Sequence, residues 1–381
     1  MALTLVFESA GAIVLGLAVC GAIYALIATG AMWRFLRGAP RALAGAPSVS
    51  ILKPLHGDEP GLAENLDSFC AQTYPGPTQL ILGAQDPADP ALTVAEQVRR
   101  GRPDRDIVVV SDPTPHGSNR KIGNLINMSA RAGGEIIVIS DSDVRAPPQA
   151  LERIVAALQA PGVGLVYCLY RGAPTASVWS RLAALDINSR FAPSVVVGQA
   201  LGAHPVLGPT MALRADLLAG IGGFQRLADL LADDFELGRA VREAGGAIAC
   251  PVLLIDHVFP ETSLGEVWTH ELRWARTVRL VQPAGYLGSV IIHFLPLALI
   301  GAALTGFSGW SLAVLAALAA FRLTQAVTLV RMMEADGGGL WLLGVRDLLS
   351  FGVFVAALVG RRIEWRGNRL HFDRKGAMAR R

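Results

Sequence analysis

The sequence predicts an α/β protein in which one domain with a mostly parallel sheet is flanked by N- and C-terminal transmembrane helices. Of the 381 residues, 52% are hydrophobic and 17% are charged, whereas an average soluble protein has about 25% charged residues. The apolar excess is concentrated in two uncharged segments, residues 9–33 and 280–321. Between them, strand and helix patterns alternate, which is typical of a parallel sheet covered by helices. This composition excludes a disordered chain and argues against a purely soluble enzyme.

The first uncharged segment is long enough for one membrane span, because a hydrocarbon core about 30 Å thick needs about 20 helical residues. It is too long for a signal peptide and lacks the small-residue cleavage pattern, so we expect a retained anchor. Arg34, Arg37 and Arg41 follow it, and only Glu8 precedes it. The positive-inside rule then places the N-terminus outside and the following domain in the cytoplasm. Residues 1–47 are predicted to form this anchor and its linker.

A globular domain is predicted over residues 48–262, where apolar runs indicate strands and amphipathic spacing indicates helices. The strands are predicted at 48–52, 79–82, 106–111, 135–140, 165–170 and 206–213, and the helices at 62–72, 92–100 and 122–132. Parallel-sheet proteins bind ligands at the carboxyl ends of their strands. Asp86 follows the second strand, and Asp141 and Asp143 follow the fourth. We therefore expect the functional edge of the sheet there.

Membrane-associated segments are predicted after the globular domain. Residues 263–286 form an amphipathic pattern with tryptophan and arginine side chains, which is typical of a helix lying in the membrane interface. Residues 287–360 are assigned to the C-terminal membrane segments. The uncharged segment 280–321 has 42 residues, which is long enough for two spans.

The last apolar segment, residues 340–360, is interrupted by Arg346 and Asp347. A charged pair inside a span is costly and usually faces protein or serves a function. The predicted basic tail, 361–381, carries eight Lys or Arg and two Asp or Glu, a net charge of +6. The positive-inside rule favours the cytoplasm for this tail. A single crossing by 340–360 would put the tail outside, so we predict three full spans and a re-entrant or interfacial fourth segment.

Charge and cysteine content restrict the partners further. The formal net charge is +3, which is too small to indicate nucleic-acid binding. The four cysteines, at positions 20, 70, 168 and 250, show no CxxC pair and no metal-ligand spacing. Buried, inert thiols in a reducing compartment are therefore expected.

The segment Asp141-Ser142-Asp143 has two carboxylates spaced by one residue at the end of a predicted strand. Both can turn toward one hard cation, and Mg²⁺ or Mn²⁺ prefers carboxylate oxygens and commonly bridges to a substrate diphosphate. The alternative is that these acidic residues only form the turn that ends the strand. The spacing alone does not decide between the two.

Asp234 is the candidate general base, because a base must be a positioned carboxylate within reach of the acceptor hydroxyl. It lies with Asp233 at the start of a predicted helical stretch. A helix-capping role for Asp233 is the alternative interpretation of this acidic pair.

Two basic segments are candidates for phosphate contacts. Lys121 follows a Pro/Gly-containing loop and precedes a helix, where phosphate groups are often bound; the alternative is a solvated loop. Arg273 offers a planar fork to phosphate oxygens, and Trp274 can form the wall of a pocket. Their alternative is a belt of Trp and Arg at the membrane surface.

Along the chain the motifs occur in the order Asp86, Asp141-Ser142-Asp143, Asp233-Asp234 and Arg273-Trp274. This order resembles that of inverting glycosyltransferases with the GT-A fold, of the family 2/21 type, whose motifs are D, DxD, (E/D)D and (Q/R)xxRW. The resemblance is closest to the ceramide glucosyltransferase group and covers essentially the whole chain. The segments that carry it are 50–57, 85–86, 119–125, 141–145 and 364–370. Within that group the chain is most similar to the bacterial branch associated with hopanoid biosynthesis, on residues 52–60 and 270–277. The resemblance implies a Rossmann-like GT-A catalytic domain.

The resemblance also implies roles for the residues that would bind the donor. Asp86 would contact the nucleotide. Asp141 would hold the UDP diphosphate and, together with Asp143, a divalent Mg²⁺ or Mn²⁺ ion. Lys121 is placed with these substrate-binding residues.

The remaining motif residues are assigned to the transfer itself and to the acceptor. Asp234 would be the catalytic base, and Arg273 and Trp274 would bind the diphosphate and shape the acceptor site. His270 stands where the family motif has Gln or Arg. We place it with the substrate-binding residues because a histidine can still donate one hydrogen bond.

The resemblance implies a multi-pass enzyme of the bacterial inner membrane whose catalytic domain faces the cytoplasm. Its partners would be a UDP-sugar donor, a membrane lipid acceptor and the bilayer, with no nucleic acid. The hopanoid branch favours transfer of N-acetylglucosamine to bacteriohopanetetrol, and transfer of glucose to ceramide is the alternative. Two other functions are less favoured. A processive polysaccharide synthase usually needs more membrane spans than the three or four predicted here, and a membrane sensor of nucleotide sugars would not need a catalytic base such as Asp234.

Overall fold

The computed structural model describes residues 2–359, 362–365, 368–372 and 378–380, with side chains for residues 5–359. Helix α1 spans Ala2–Leu36. The elements that follow, up to the middle of the chain, are β1 (Val49–Pro54), α2 (Leu62–Cys70), β2 (Thr78–Ala84), α3 (Pro90–Gly101), β3 (Asp106–Ser111), α4 (Arg120–Ser129), β4 (Ile136–Ser140), β5 (Val144–Arg145), α5 (Ala150–Leu158), β6 (Val163–Tyr167) and β7 (Leu169–Pro174).

The second half of the chain is mainly helical. Its elements are α6 (Val178–Asp186), a π-helical turn (Ile187–Phe191), α7 (Ala192–Ala200), β8 (Thr210–Arg214), α8 (Ala215–Gly220), α9 (Asp233–Glu243), β9 (Ala247–Ala249), β10 (Leu254–Phe259), α10 (Leu264–Val281), α11 (Pro283–Gly288), α12 (Phe294–Leu304), α13 (Gly309–Met332), α14 (Leu343–Leu358), β11 (Arg362–Trp365), β12 (Asn368–Phe372) and β13 (Met378–Arg380). Short 3₁₀ turns lie at Phe224–Leu227, Ser289–His293 and Leu340–Leu342. The side chains of the predicted basic tail, 361–381, lie outside the described residues.

The chain divides into two compact units. The sheet unit consists of Arg37–Arg171, His204–Pro260 and Arg369–Arg381, and the helical unit consists of Met1–Leu36, Gly172–Ala203 and Glu261–Asn368. The domain boundaries inferred from the sequence remain a prediction.

The sheet unit is built on a seven-stranded sheet with the order β3-β2-β1-β4-β8-β6-β9. Strands β1 to β4 are parallel to one another, as their buried apolar runs predict. Strand β8 is antiparallel to both of its neighbours, β4 and β6. The predicted α/β class with a mostly parallel sheet is therefore confirmed. The ends of β2 and β4, with β1 between them, face the same edge.

Two predicted strands differ from the observed ones. The run at 165–170 is broken into β6 and β7, because the chain leaves the sheet between Tyr167 and Leu169. The run at 206–213 forms a strand only from Thr210 onward. Pro209 lies among its first residues and lacks the N–H that a sheet ladder needs.

The helical unit contains four helical segments that are long and apolar enough to cross a bilayer by length and composition. They are Leu5–Leu36, Pro283–Leu304, Gly309–Met332 and Leu340–Leu358. Glycines permit close packing of α1 against the second of them, since a methyl group at Gly21 would collide with the carbonyl oxygen of Ile291. The fourth segment is the one predicted to be re-entrant or interfacial.

The charges in this fourth segment are paired with protein groups inside the helical unit. The Arg346 guanidinium is fully buried and donates two hydrogen bonds of 2.6 Å to the carboxylate of Glu271 on α10. Asp186 lies 3.7 Å from the same guanidinium. Arg322 on α13 donates to Asp347 at 2.9 Å. Because both members of the Arg346–Asp347 pair have partners of opposite charge, α14 carries no unpaired charge into an apolar environment.

The helices at 178–200 were not predicted from the sequence. They contain the π-helical turn Ile187–Phe191, a rare geometry that interrupts the regular spacing of apolar residues. Asp186 and Arg190 form an ion pair of 2.6 Å at this turn. The turn therefore supplies polar groups to the same buried ionic cluster as Arg346.

Candidate active site

The turn that carries Asp141 and Asp143 directly follows β4 and is held by hydrogen bonds from three other segments. The Asp141 N–H donates to the carbonyl of Pro209 at 3.0 Å. The carbonyl of Ser142 accepts from the Asn65 amide at 3.2 Å, and the Val258 N–H donates to the carbonyl of Asp143 at 2.8 Å. A turn fixed at each residue presents its two carboxylates in one defined arrangement.

Lys53 is a further component of this site that the sequence motifs did not identify. It lies on β1 with no exposed surface, and its Nζ donates to the carbonyl of Asp141 at 2.7 Å. Burial lowers the pKa of Lys53 to about 7, although the nearby Asp143 and Asp141 carboxylates act to raise it.

His257 is also placed at the site without having been predicted. It is buried on β10, and its Nε2 lies 3.0 Å from the Asp143 carboxylate. The rings of Tyr170 and Phe259 pack against the imidazole at centroid distances of 5.1 and 4.9 Å. This packing fixes the imidazole, which in turn orients the Asp143 side chain.

Lys121 joins the turn after β4 to the start of α9. Its Nζ lies 2.6 Å from Asp141 Oδ1 and 3.7 Å from Asp233 Oδ2. Asn119, the N-cap residue of α4, fixes this end of the helix by accepting from the Ile122 N–H at 3.2 Å. Burial alone would lower the pKa of Lys121, but the carboxylates of Asp141 and Asp233 outweigh it and raise the pKa. Lys121 is therefore a charged member of the cluster and not part of a solvated loop.

Asp234 lies in the first turn of α9, one residue after Asp233. The N-cap of this helix is Ala232, so the interpretation of Asp233 as the capping residue is wrong. Burial and the adjacent Asp233 charge raise the pKa of Asp234 to about 6, although the Phe235 N–H donates to its carboxylate at 2.7 Å. Gly208 lies beside it, where a methyl group would sit 3.3 Å from Asp234 Oδ2.

Asp86 lies at the same edge of the sheet, after β2, and is exposed. Its carboxylate accepts a local hydrogen bond from the Ala88 N–H at 2.9 Å. Strand β1 separates β2 from β4. The described contacts of Asp86 thus do not join it to the ion-paired cluster of Asp141 and Lys121.

The three candidate residues of the (Q/R)xxRW motif lie on α10 in the helical unit. His270 Nδ1 lies 2.7 Å from the buried carboxylate of Glu261. The imidazole packs edge-on against the Trp274 ring, with centroids 4.3 Å apart. Arg273 is half-buried on the same helix. Glu261 and Trp274 therefore fix the imidazole ring of His270, the residue at the position where the family motif has Gln or Arg.

The residues at the sheet edge fit a divalent cation that is shared with a phosphate ligand. Within the described side chains, no group of three or more His, Cys, Asp or Glu residues is arranged to hold a metal ion. Mg²⁺ is commonly bound by one or two carboxylates together with substrate phosphates, without a cage made only of protein ligands. Asp141 and Asp143 supply such a pair. Asp141 also contacts the ammonium group of Lys121 at 2.6 Å, so a positive charge already lies beside this pair.

This arrangement can combine three kinds of chemistry. Carboxylates on the turn can bind a divalent cation, the half-buried Lys121 can bind an anionic group, and the Asp234 carboxylate, with its raised pKa, can accept a proton. Together they suit the displacement of a phosphate leaving group by a hydroxyl.

Comparison with known proteins identifies relatives over most of the chain. Residues 13–378 match the family model of glycosyl transferase family 21. Ceramide glucosyltransferase 1 of Caenorhabditis elegans is 23% identical over 209 residues, which make up 52% of this chain and 43% of the relative. Ceramide glucosyltransferase 3 of the same organism is 23% identical over 351 residues, 85% of this chain and 72% of the relative. The chain thus spans less than half the length of the first of these curated relatives.

A solved structure has the same overall fold. It is a mannosyltransferase from Pyrobaculum calidifontis in complex with GDP-Man and Mn²⁺, with a TM-score of 0.51 and 19% sequence identity. The match covers 91% of this chain and 99% of the other. At this identity the likeness supports the fold alone. The resemblance to the ceramide glucosyltransferase group is confirmed by these comparisons, and the assignment to the hopanoid branch stays a prediction.

Proposed function

We propose, because this chain belongs to glycosyl transferase family 21, that it is a membrane-bound inverting glycosyltransferase that moves a sugar from a UDP-sugar to a lipid hydroxyl. The observation that carries this proposal is the cluster of Asp141, Lys121 and Asp233 beside Asp234 at the carboxyl edge of the sheet. It combines a carboxylate that can bind a cation, a half-buried ammonium group and a candidate base. The candidate membrane helices give a reason for a lipid acceptor.

Asp141 and Asp143 are proposed to hold the divalent metal, with His257 orienting Asp143 at 3.0 Å. A bound Mg²⁺ or Mn²⁺ would act as a Lewis acid toward the departing diphosphate. The Pyrobaculum relative was solved with Mn²⁺ and a nucleotide sugar, which supports this assignment. Lys121 and Arg273 are proposed to contact the diphosphate, and Asp86 to contact the nucleotide. His270 stays among the proposed substrate-binding residues.

Asp234 is proposed to take the proton of the acceptor hydroxyl as that oxygen attacks the anomeric carbon. The new glycosidic bond forms as the bond to UDP breaks, so the anomeric configuration is inverted. The carboxylate is ionised above its pKa of about 6, which leaves it able to accept a proton near neutral pH. Trp274 is proposed to shape the acceptor site.

Two acceptors fit this chemistry. The motif resemblance favours N-acetylglucosamine transfer to bacteriohopanetetrol. The ceramide glucosyltransferases among the relatives support glucose transfer to ceramide as the second candidate. Both are amphiphilic lipids with a hydroxyl near the membrane surface, so the same site serves either.

The proposed function is tested by product mass. The full chain in detergent is incubated with UDP-GlcNAc or UDP-glucose and with bacteriohopanetetrol or ceramide. The molecular masses of the lipid products are then measured by mass spectrometry. A mass increase of one sugar residue on one lipid supports the transferase activity and identifies the donor and acceptor.

Asp143→Ala is expected to lose most of the transferase activity without loss of fold, because it removes one of the two proposed metal ligands. Full turnover in excess EDTA would contradict the metal assignment.

Transfer is expected to fall as the pH drops through about 6. The pKa of Asp234 is raised from 3.8 to about 6, so protonation removes the base below that value and deprotonation restores it above. The measurement is kcat/KM against pH, which reports the titration of the free enzyme. A rate that stays constant down to pH 4.5 would contradict the role of Asp234.

The catalytic domain is proposed to face the cytoplasm in the bacterial inner membrane. In a cysteine-free background, single cysteines replacing Pro90 and Gly376 are expected to resist labelling by a membrane-impermeant maleimide added outside. Arg34, Arg37 and Arg41 and the +6 tail are the physical reason. Labelling at position 376 alone would show that the segment Leu340–Leu358 crosses the membrane.

A further inference from the structure

Lys53 is a buried cation at the sheet edge that the proposed transfer leaves without a role. It lies on β1, between β2 and β4, and has no solvent-exposed surface. Lysine is almost never fully buried unless its charge is paired or hydrogen-bonded. The partners of this ammonium group therefore indicate why the position is charged.

The partners of Lys53 belong to the turn that carries the two carboxylates. Its Nζ donates to the carbonyl of Asp141 at 2.7 Å and to the carbonyl of Val144 at 3.3 Å. These two carbonyls lie at the first residue of the Asp-Ser-Asp turn and directly after its last. The hydroxyl of Ser140, the final residue of β4, accepts a third bond at 3.4 Å. One ammonium group thus ties both ends of the turn to β1.

The surroundings of Lys53 hold the ammonium in this position. The Phe69 ring of α2 lies over it, with Nζ 4.0 Å from the centroid, which is a favourable place for a cation. Asn65, on the same helix, donates to the carbonyl of Ser142 at 3.2 Å. Helix α2 and strand β1 therefore support the turn from one side while leaving the carboxylates of Asp141 and Asp143 to other partners.

We propose that Lys53 is a positioning residue that sets the Asp141-Ser142-Asp143 turn so that both carboxylates face one divalent cation. It acts through main-chain carbonyls and touches neither the cation nor the substrate. The inference rests on the proposed metal-dependent function and adds the group that preorganises its metal ligands.

The test measures Mn²⁺ binding to the full chain in detergent, without donor or acceptor, by the electron paramagnetic resonance of free Mn²⁺. Lys53→Met keeps the length and packing of the side chain but removes its donors. It is expected to bind Mn²⁺ about 10- to 100-fold more weakly, the range typical of groups that orient metal ligands. Thermal unfolding of each variant is recorded in the same buffer.

Ser50→Ala is the matched control on the same strand. Ser50 is equally buried, and its hydroxyl bonds to Gln79 at 3.2 Å and to the Gly134 N–H at 2.9 Å, away from the turn. This variant is expected to lower the melting temperature and keep the affinity for Mn²⁺. Equal Mn²⁺ affinity in Lys53→Met and Ser50→Ala would overturn the positioning role.

Lys53→Gln keeps the test decisive if the methionine variant does not fold. The glutamine amide has two N–H donors, but it carries no charge and its side chain is shorter than that of lysine. We therefore expect about tenfold weaker Mn²⁺ binding than in Ser50→Ala. Unchanged affinity in Lys53→Gln would overturn the inference. The measurement is repeated with saturating UDP, which supplies the phosphate oxygens. Absence of Mn²⁺ binding by the unmodified protein both with and without UDP is a separate outcome, which would overturn the proposed metal dependence itself.

Discussion

Asp234→Asn is expected to lower the rate of sugar transfer by about 10²-fold or more and to leave UDP-sugar affinity close to that of the unmodified protein. General-base catalysis typically contributes about 10²–10⁴-fold, and an amide of the same shape cannot accept the proton. The substitution also removes a carboxylate whose ionisation is disfavoured by burial and by Asp233. The variant is therefore expected to fold normally. Sugar transfer to lipid and UDP-sugar binding are measured on the same preparation.

Asp233→Asn is the matched control, because it changes the adjacent carboxylate in the same helical turn. Asp233 lies 3.7 Å from Lys121 Nζ, so this variant weakens a charge contact of the cluster and leaves the proposed base in place. It is expected to retain most of the turnover. Near-normal transfer in Asp234→Asn, or a loss confined to Asp233→Asn, would show that the base has been assigned to the wrong residue.

Arg346→Met is expected to destabilise the protein by about 3–5 kcal/mol, the cost typical of removing one partner from a buried ion pair. The guanidinium is fully buried and forms two hydrogen bonds of 2.6 Å with Glu271. Without it, the Glu271 carboxylate and the neighbouring Asp186 would remain in a poorly solvated environment. The measurement is thermal unfolding in detergent at fixed protein and lipid concentrations.

Two further variants separate the ion pair from a general effect of removing an arginine. Arg331→Met, at the exposed end of α13, is expected to change stability little. Arg346→Met combined with Glu271→Gln is expected to be more stable than Arg346→Met alone, since the unpaired charge is also removed. Equal losses in Arg331→Met and Arg346→Met would contradict the buried ion pair.

The sheet was predictable because its central strands are short, uninterrupted apolar runs separated by amphipathic helices. Strand β3 occupies the predicted residues 106–111, and β1, β2 and β4 differ from their predictions by only a few residues. The helices at 178–200 were missed because their buried charges and π-helical turn obscure a regular apolar spacing. A local pattern is informative only where the local geometry is regular.

The site was predictable only where its residues belong to short motifs. The strand ends predicted Asp86, Asp141 and Asp143 at one edge of the sheet, whereas the contacts of Lys121 with Asp141 and Asp233 join segments that no strand pattern relates. His257 was missed because its partner Asp143 lies 114 residues away in the chain. Lys53 did leave a signal, since a lysine inside the otherwise apolar run of β1 conflicts with the burial of a parallel strand. Such a conflict marks a position at which function or a specific partner outweighs packing.

The ion pair between Glu271 and Arg346 also determines how this enzyme can be shortened. Helix α10 carries Arg273 and Trp274, and its Glu271 depends on a guanidinium from a helix more than sixty residues further along the chain. The last apolar helix is thus an integral part of the fold and not a removable anchor. A shortened protein made for crystallisation should therefore keep the chain through residue 359, because an earlier end would leave Glu271 or Asp186 without its guanidinium partner.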